Sequence, residues 1–368
     1  MKFSCLQENL SKGLQTVSRA VPTKSSLPIL SNVLIIAENG RLKLCATNLE
    51  TTIITHVGAS VEKEGSITIP ARLIKEFIIN LSPNTITAHL EGETLHISSQ
   101  KTKTKFNGTS AGDYPELPTF PSEKKYLELD PKAFNAAVSV VAFASGADES
   151  RPIFTGVFLS HSENKLTIAS TDGFRLSEKV IKVEGKAPDF STIIPAKTLL
   201  EVARIFSTSV EPLKFALGED ENMAFFESED TLVATRILDG QYPDYKKIVP
   251  KETILSASVL AEEFLEAVKL TNIFAKESNS TIRIRFGPES TIKIISLSEE
   301  TGHHESNLDG EVEGETMEIA FNSKYLLDFL NNVKSERITF VTNGNVSPCL
   351  IKPEDHEDFI HIIMPIQL

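Results

Sequence analysis

IPARLIKEF, at positions 69–77, decides how this chain is read, because it does not occur only once. A β-branched run closes at Pro70 and a helical pattern follows, with Arg72 at the junction, where an enzyme could place an anion-binding or catalytic group. The same junction returns as IPAKTLLEV at 194–202 and, more loosely, as IAFNSKYLLDFL at 319–330. From Pro70 to Pro195 to Phe321 the steps are 125 and 126 residues. So regular an interval marks an internal repeat.

Other landmarks keep the interval. ILSNVLI (29–35) matches IFTGVFL (153–159), and GDYPE (112–116) matches GQYPD (240–244). The apolar sets Leu10-Leu14-Val17-Val21, Phe134-Val138-Val141 and Leu260-Phe264-Ala267 are in step as well. Three domains follow, 1–121, 122–249 and 250–368, with joints near Pro121 and Pro250. Each third reads strand, helix, short strands, then strand, helix and short strands again. Leu10, Leu14, Val17 and Val21 share one face of the first helix, with Lys12, Gln15 and Arg19 opposite. The second helix is expected to begin at Pro70, whose missing N–H costs nothing in a first turn. In the third repeat Asn322 or Ser323 supplies the cap. AENGRLKLCA, SHSENKLTIAS, LEGETLHISS and FGPESTIKIIS read as strands joined by tight turns. The fold class is α+β, with two helices and antiparallel sheets in each of three repeats.

Composition narrows the function. Forty per cent of the residues are apolar and 24% charged, as in a globular protein. No apolar run has a membrane helix's length and MKFSCLQENL lacks a signal peptide's apolar stretch, so a cytoplasmic protein with no membrane partner is expected. Cys5, Cys45 and Cys349 are odd in number and never in a C-x-x-C pair, which suggests neither a disulfide framework nor a thiolate zinc site. The net charge of −13 argues, alone, against a nucleic-acid partner. It is unevenly placed, however. The six helix windows (7–24, 71–80, 131–143, 196–206, 260–276 and 323–334) carry +5 together, leaving −18 on the rest. Either lysines and arginines merely solvate helix faces, or the helices line a surface that meets phosphate.

Equivalent helix-sheet units meeting in the same way make an arc or ring. With helices inside and about 10 Å apart, six close a circle of roughly 19 Å between axes and leave about 9 Å free, whereas twelve leave roughly 28 Å. Two chains could therefore encircle a DNA duplex; one could not.

Catalytic readings fare less well. Glycine-rich phosphate loops, H-E-x-x-H and G-x-S-x-G are missing from the sequence. His303-His304 would point to opposite faces of a strand and read better as solvated loop histidines than as metal ligands. Asp172-Gly173-Phe174-Arg175 could serve a hydrolase or transferase as an Asp/Arg pair in an inter-domain cleft, although Asp-Gly is more often a turn. A repeat scaffold with no DNA role is the remaining alternative.

Over its whole length the chain resembles the bacterial β sliding clamp family, through LPILSNVLI, IPAR, RPIFTGV, ASTDGFRL, YPDYKKIVP and the terminal MPIQL. The resemblance implies three repeated clamp domains in a head-to-tail homodimeric ring on duplex DNA, recognised without regard to sequence. It implies no catalysis, no cofactor and no metal, and association with DNA in the nucleoid. Implied partners are a clamp loader, the replicative polymerase and other proteins carrying short clamp-binding peptides. For DNA contact it points to Lys24, Arg72 and Arg151; Leu73 stands where a second basic residue is common, with Lys75 the nearest substitute, and Lys197 repeats Arg72. For the peptide pocket it points to Phe154, Thr171, Gly173, Phe174, Arg175, Leu176, Pro243, Lys247, Ile248, Val346, Pro348, Met364, Pro365 and Ile366. Apolar walls there would bury a partner's Leu or Phe, with Arg175 and Lys247 holding oxygens at the rim. Phe174 replaces a common histidine and Gln367 a frequent arginine. For the dimer seam, Lys101, Lys103, Lys105 and Phe106 would face Ile273, Phe274, Glu299, Glu300 and Glu305, opposite charges favouring head-to-tail closure. Edge-strand lysines that only discourage aggregation are the plainer reading.

Overall fold

The computed structural model describes residues 1–121, 125–218, 222–276, 279–287, 291–298 and 302–367. Among them stand helices α1 Gln7–Val17, α2 Ala71–Ile79, α3 Pro131–Val141, α4 Ala196–Phe206, α5 Ala261–Ala275 and α6 Ser323–Asn332. Two fall in each repeat, all inside the windows that the apolar spacing marks. No helix among the described residues is long and apolar enough to cross a membrane.

At the IPAR junction the strand Gly65–Pro70 runs directly into α2. Pro70 keeps an extended-type ψ of 112° and serves as the residue before the helix, so the first helical residue is Ala71, one later than expected. In the third repeat the Asn322 side chain accepts from the Lys324 N–H at 2.9 Å, satisfying one of the donors a helix start leaves free. After Val17 the chain tightens into a 3-10 turn, Ser18–Ala20, which leaves Val21 outside α1 while Leu10, Leu14 and Val17 are fully buried. Each such side chain contributes about 1.5–3 kcal/mol by leaving water.

The strand ladders repeat as faithfully as the helices, and all of the described pairings are antiparallel. In the first repeat Asn32–Glu38 pairs with both Arg41–Thr47 and Gly65–Pro70. Gly156–Ser162 does the same with Lys165–Thr171 and Phe190–Pro195, as does Thr281–Phe286 with Thr291–Ser298 and Met317–Asn322. One economy distinguishes the third repeat. A single 13-residue strand, Gly302–Gly314, pairs with Thr291–Ser298 along its first half and with Leu255–Leu260 along its second, tasks given to two strands in the other repeats.

Repeats are joined by one rule. The last strand of the second, Thr231–Arg236, pairs with Thr51–Gly58 of the first; the last strand of the third, Phe359–Ile363, pairs with Arg175–Lys182 of the second. These joins explain why compact units do not coincide with repeats. One unit comprises 1–131, 184–187 and 201–237 and holds a five-stranded and a nine-stranded sheet; the other comprises 132–183, 188–200 and 238–368 and holds a twelve-stranded sheet. Among the described residues two strands lack the joining neighbour that this rule gives their counterparts. Thr102–Asn107 pairs only with Thr94–Ser99, and positions 302–309 pair only with Thr291–Ser298.

Two glycines show how tightly the repeat is drawn. Gly185 (φ +128°) and Gly314 (φ +102°) occupy matching places, where a Cβ would stand 2.4 Å from the Tyr126 carbonyl oxygen and 2.0 Å from that of Ile254. Only a residue without a Cβ lets the strands approach so closely.

Candidate functional site

Three neighbouring strands of the twelve-stranded sheet end together. Arg175 lies opposite Ile363, and Ile363 opposite Cys349. This register gathers residues 171–176, Val346 and Pro348, and Met364, Pro365 and Ile366 at one end of the sheet. The Met364 N–H donates to the Phe174 carbonyl at 2.8 Å, extending the contact past the last strand. Beneath them Leu176, Tyr242, Tyr245, Leu350 and Ile362 form one buried cluster, which draws in the segment carrying Pro243, Lys247 and Ile248. Ile153, next to Phe154, packs on the same cluster. Residues that lie almost 200 positions apart thus share one surface of the second compact unit.

That surface is unusual in what it leaves exposed. Phe174 is 55% exposed, Val346 56% and Ile248 37%. Large apolar side chains grouped in water favour a partner that covers them.

The turn before Arg175 fixes the rim. One Asp172 carboxylate oxygen accepts from the N–H groups of Phe174 (2.9 Å) and Arg175 (3.0 Å), and the other from Arg175 Nε at 3.1 Å. The Thr171 hydroxyl donates to the Arg175 carbonyl and accepts from the Gly173 N–H. Arg175 Nη1 also donates to Asp328 on α6 at 2.5 Å, and its guanidinium lies over the rings of Tyr325 (4.7 Å) and Phe143 (5.7 Å). Arg175, 8% exposed, is committed through Nε and Nη1 to two carboxylates of its own chain. Asp172 accepts at both oxygens within the turn, which is the role an Asp-Gly pair more often takes. Lys247 remains available, 80% exposed and paired only with Asp244 of its own turn at 3.0 Å. Asp328, Tyr325 and Phe143 carry no signal in the sequence, since each meets Arg175 only through the fold.

Below the turn the His361 ring is fully buried, stacked on Phe329 at 4.8 Å, with Nδ1 2.8 Å from the Ser177 hydroxyl. Burial, reinforced by the Arg175 charge, holds its pKa down to about 3. Burial likewise raises the Tyr325 hydroxyl, with help from Asp172.

The candidate phosphate contacts are placed less uniformly. Arg72 stands on α2 with its side chain 90% exposed, touching only Glu76 at 3.2 Å. Lys24 and Lys197 are exposed and Lys75 is half-buried. Arg151 instead stands beside the Phe174 turn: it pairs with Asp148 at 3.5 Å, lies over the Phe154 ring at 5.2 Å and borders Gly173. A group not singled out from the sequence, Lys12, Arg19 and Arg204, lines a cleft of about 430 Å³ beside α1, with Glu201 bonded to both arginines.

At the two edges left without a joining neighbour, Lys101, Lys103 and Lys105 are exposed on the first, but Phe106 is 3% exposed and packs edge-on against Phe77, behind that surface. Near the second edge Ile273 is 62% exposed, Phe274 stacks on His304 at 5.5 Å, and Glu305 is held by Lys293 at 2.7 Å. Glu299 and Glu300 lie outside the described residues. His303 and His304 stand in a strand, not the loop expected, because the chain pairs from Gly302 onward.

Known proteins share this architecture. Models of the N-terminal, central and C-terminal domains of the DNA polymerase III beta subunit match residues 1–118, 128–244 and 246–367. A beta sliding clamp of Synechococcus elongatus is 33% identical and one of Bacillus subtilis 27%, each match covering 100% of both chains. The solved DNA polymerase sliding clamp of Bacillus subtilis superposes with a TM-score of 0.94 at 26% identity, covering 100% of this chain and 99% of that one. A Pseudomonas aeruginosa sliding clamp bound to griselimycin superposes with a TM-score of 0.93 at 26% identity, covering 100% of both. Fold and site define a non-catalytic clamp of DNA replication, a processivity factor that works by holding on. The chain belongs to the DNA polymerase III beta subunit family, the beta sliding clamps.

Proposed function

We propose that the chain acts as a head-to-tail homodimer that encircles duplex DNA and tethers the replicative polymerase, with division into clamp domains at 1–121, 122–249 and 250–368. One observation carries this reading: the join between repeats occurs twice and leaves one partner of each kind unused. By that rule the last strand of the first repeat, Thr102–Asn107, adds to the 302–309 edge of a second chain. Lys103 and Lys105 then approach Glu305, and Ile273 is covered. Two such seams close a symmetric ring, in which both of these strands gain the joining neighbour they lack.

DNA would be held weakly, through exposed groups such as Arg72, Lys24, Lys75 and Lys197 together with Lys12, Arg19 and Arg204, so that the ring slides. Arg151 is assigned instead to the partner rim. Phe174, Val346, Ile248, Phe154 and the 364–366 segment form the face for short peptides of polymerases and other partners, including a clamp loader that opens the ring, and the DNA-bound ring resides in the nucleoid. The griselimycin-bound relative supports ligand binding by this fold. The test is topological. Loaded protein should stay on closed circular DNA and leave once the circle is linearised; equal retention on both removes the ring reading. Light scattering should give a dimer, since a stable monomer leaves too small an opening for DNA.

A further inference from the structure

We propose that the outer face of the first five-stranded sheet holds one divalent transition-metal ion per chain, bound by His89, Glu91 and His96. The hairpin Thr85–Glu91 and Thr94–Ser99 places His89 directly opposite His96, and Glu91 two residues along the strand on the same face. The two imidazoles stack at 4.6 Å with an interplanar angle of 11°, and Glu91 Oε2 lies 3.5 Å from His96 Nε2. One donor atom from each of the three residues lies within 4.8 Å of the others, the only such group of His, Cys, Asp and Glu among the described residues. Ligands at 2.0–2.1 Å from a tetrahedral ion stand about 3.3 Å apart, so modest side-chain rotation closes the site.

The hairpin backbone presets most of that geometry, because directly opposed residues on neighbouring strands keep their Cβ atoms within about 5.5 Å. Two imidazoles and one carboxylate suit zinc, nickel or copper and leave the remaining positions to water. The surroundings select further. In the same cross-strand row Lys2 flanks His89 and Lys105 flanks His96, with Lys2 held by Glu62 at 2.6 Å. Magnesium and calcium, which need several oxygen ligands, would find a single carboxylate, with ammonium groups at both ends of the neighbouring histidine row. Nitrogen donors therefore make the site discriminate. The site belongs to the first compact unit, and its test does not depend on the ring reading.

Chelator-stripped, untagged full-length protein is titrated with Zn2+ by calorimetry in a non-coordinating buffer. Expected is one saturable site per chain with micromolar affinity, unaffected by excess Mg2+ and weakened roughly tenfold or more in His89→Asn and His96→Asn. Cobalt should give a visible spectrum lost in the same variants. His356→Asn, in the second compact unit and outside the 302–309 edge, should bind as the parent does. Glu91→Gln, a change at a side chain 80% exposed, serves as the folded variant should either histidine change disturb the hairpin. An absence of saturable heat at millimolar Zn2+, or affinity unchanged in both histidine variants and in Glu91→Gln, overturns the proposal.

Discussion

Asp172 grips Arg175 twice, through its backbone N–H at 3.0 Å and its Nε at 3.1 Å, and the two side chains are 13% and 8% exposed. Removing one member of so covered a pair leaves a charge without its compensation. Asp328 softens the loss, so Asp172→Ala should cost about 2–3 kcal/mol in urea unfolding and also weaken peptide binding, since Phe174 is carried on the same turn. Unchanged stability would show that the pair does not hold the turn.

Phe174 poses the opposite case. At 55% exposure it contributes little to folding, so Phe174→Ala should leave stability within about 0.5 kcal/mol. A polymerase-derived peptide followed by fluorescence polarisation should bind roughly tenfold or more weakly, as expected for an aromatic anchor. Full affinity in this variant would move the partner site elsewhere.

Arg72→Ala should behave as a surface change, because the side chain touches only Glu76 on its own helix. Thermal unfolding is expected within experimental range of the parent, whereas DNA retention should fall and lose part of its salt dependence. A lowered melting temperature with DNA binding intact would mark Arg72 as structural.

His361 makes the fold sensitive to acid. With a native pKa of about 3 against about 6.5 in the unfolded chain, the unfolded state binds the extra proton between those values. Stability from this group is therefore full above pH 6.5 and declines as the pH falls toward 3, by about 1.4 kcal/mol per unit at most. His361→Gln should flatten that slope in urea titrations from pH 7 to pH 4; an unaltered slope would assign the acid sensitivity to other groups.

Gly314→Ala forces a Cβ against the Ile254 carbonyl at a backbone angle that L-residues avoid. About 3 kcal/mol of destabilisation is expected in equilibrium unfolding, and a neutral result would mean that the strand pair relaxes freely.

Much of this architecture is legible in the chain because repetition turns weak local signals into agreement. The three IPAR-like junctions place three helices, and a regular apolar spacing places the other three. Glu-Gly at 64–65, 184–185 and 313–314 is a further signal, whose reason emerges only where Gly314 meets Ile254. The role of Arg175 was less legible. Its chemistry suggests a free cation, but Asp328 lies 153 positions away and is brought to it by the sheet. Phe106 misleads similarly: strand alternation turns it inward, away from Lys103 and Lys105 before it. The His89 and His96 pair depends on hairpin register, which LEGETLHISS predicts as a turn without revealing which side chains face each other.

The undivided strand Gly302–Gly314 would give the proposed seam a mechanical property. Its thirteen residues span about 43 Å as one continuous backbone. In the other repeats an equivalent pull would end at the break between two strands. Here a tug on the 302–309 edge travels along the ladder to Leu255 and Gly314, where no side chain can cushion the contact. In the proposed ring the third repeat would then act as a stiff lever rather than a hinge, and opening would have to lift that edge as a unit or peel its partner away bond by bond.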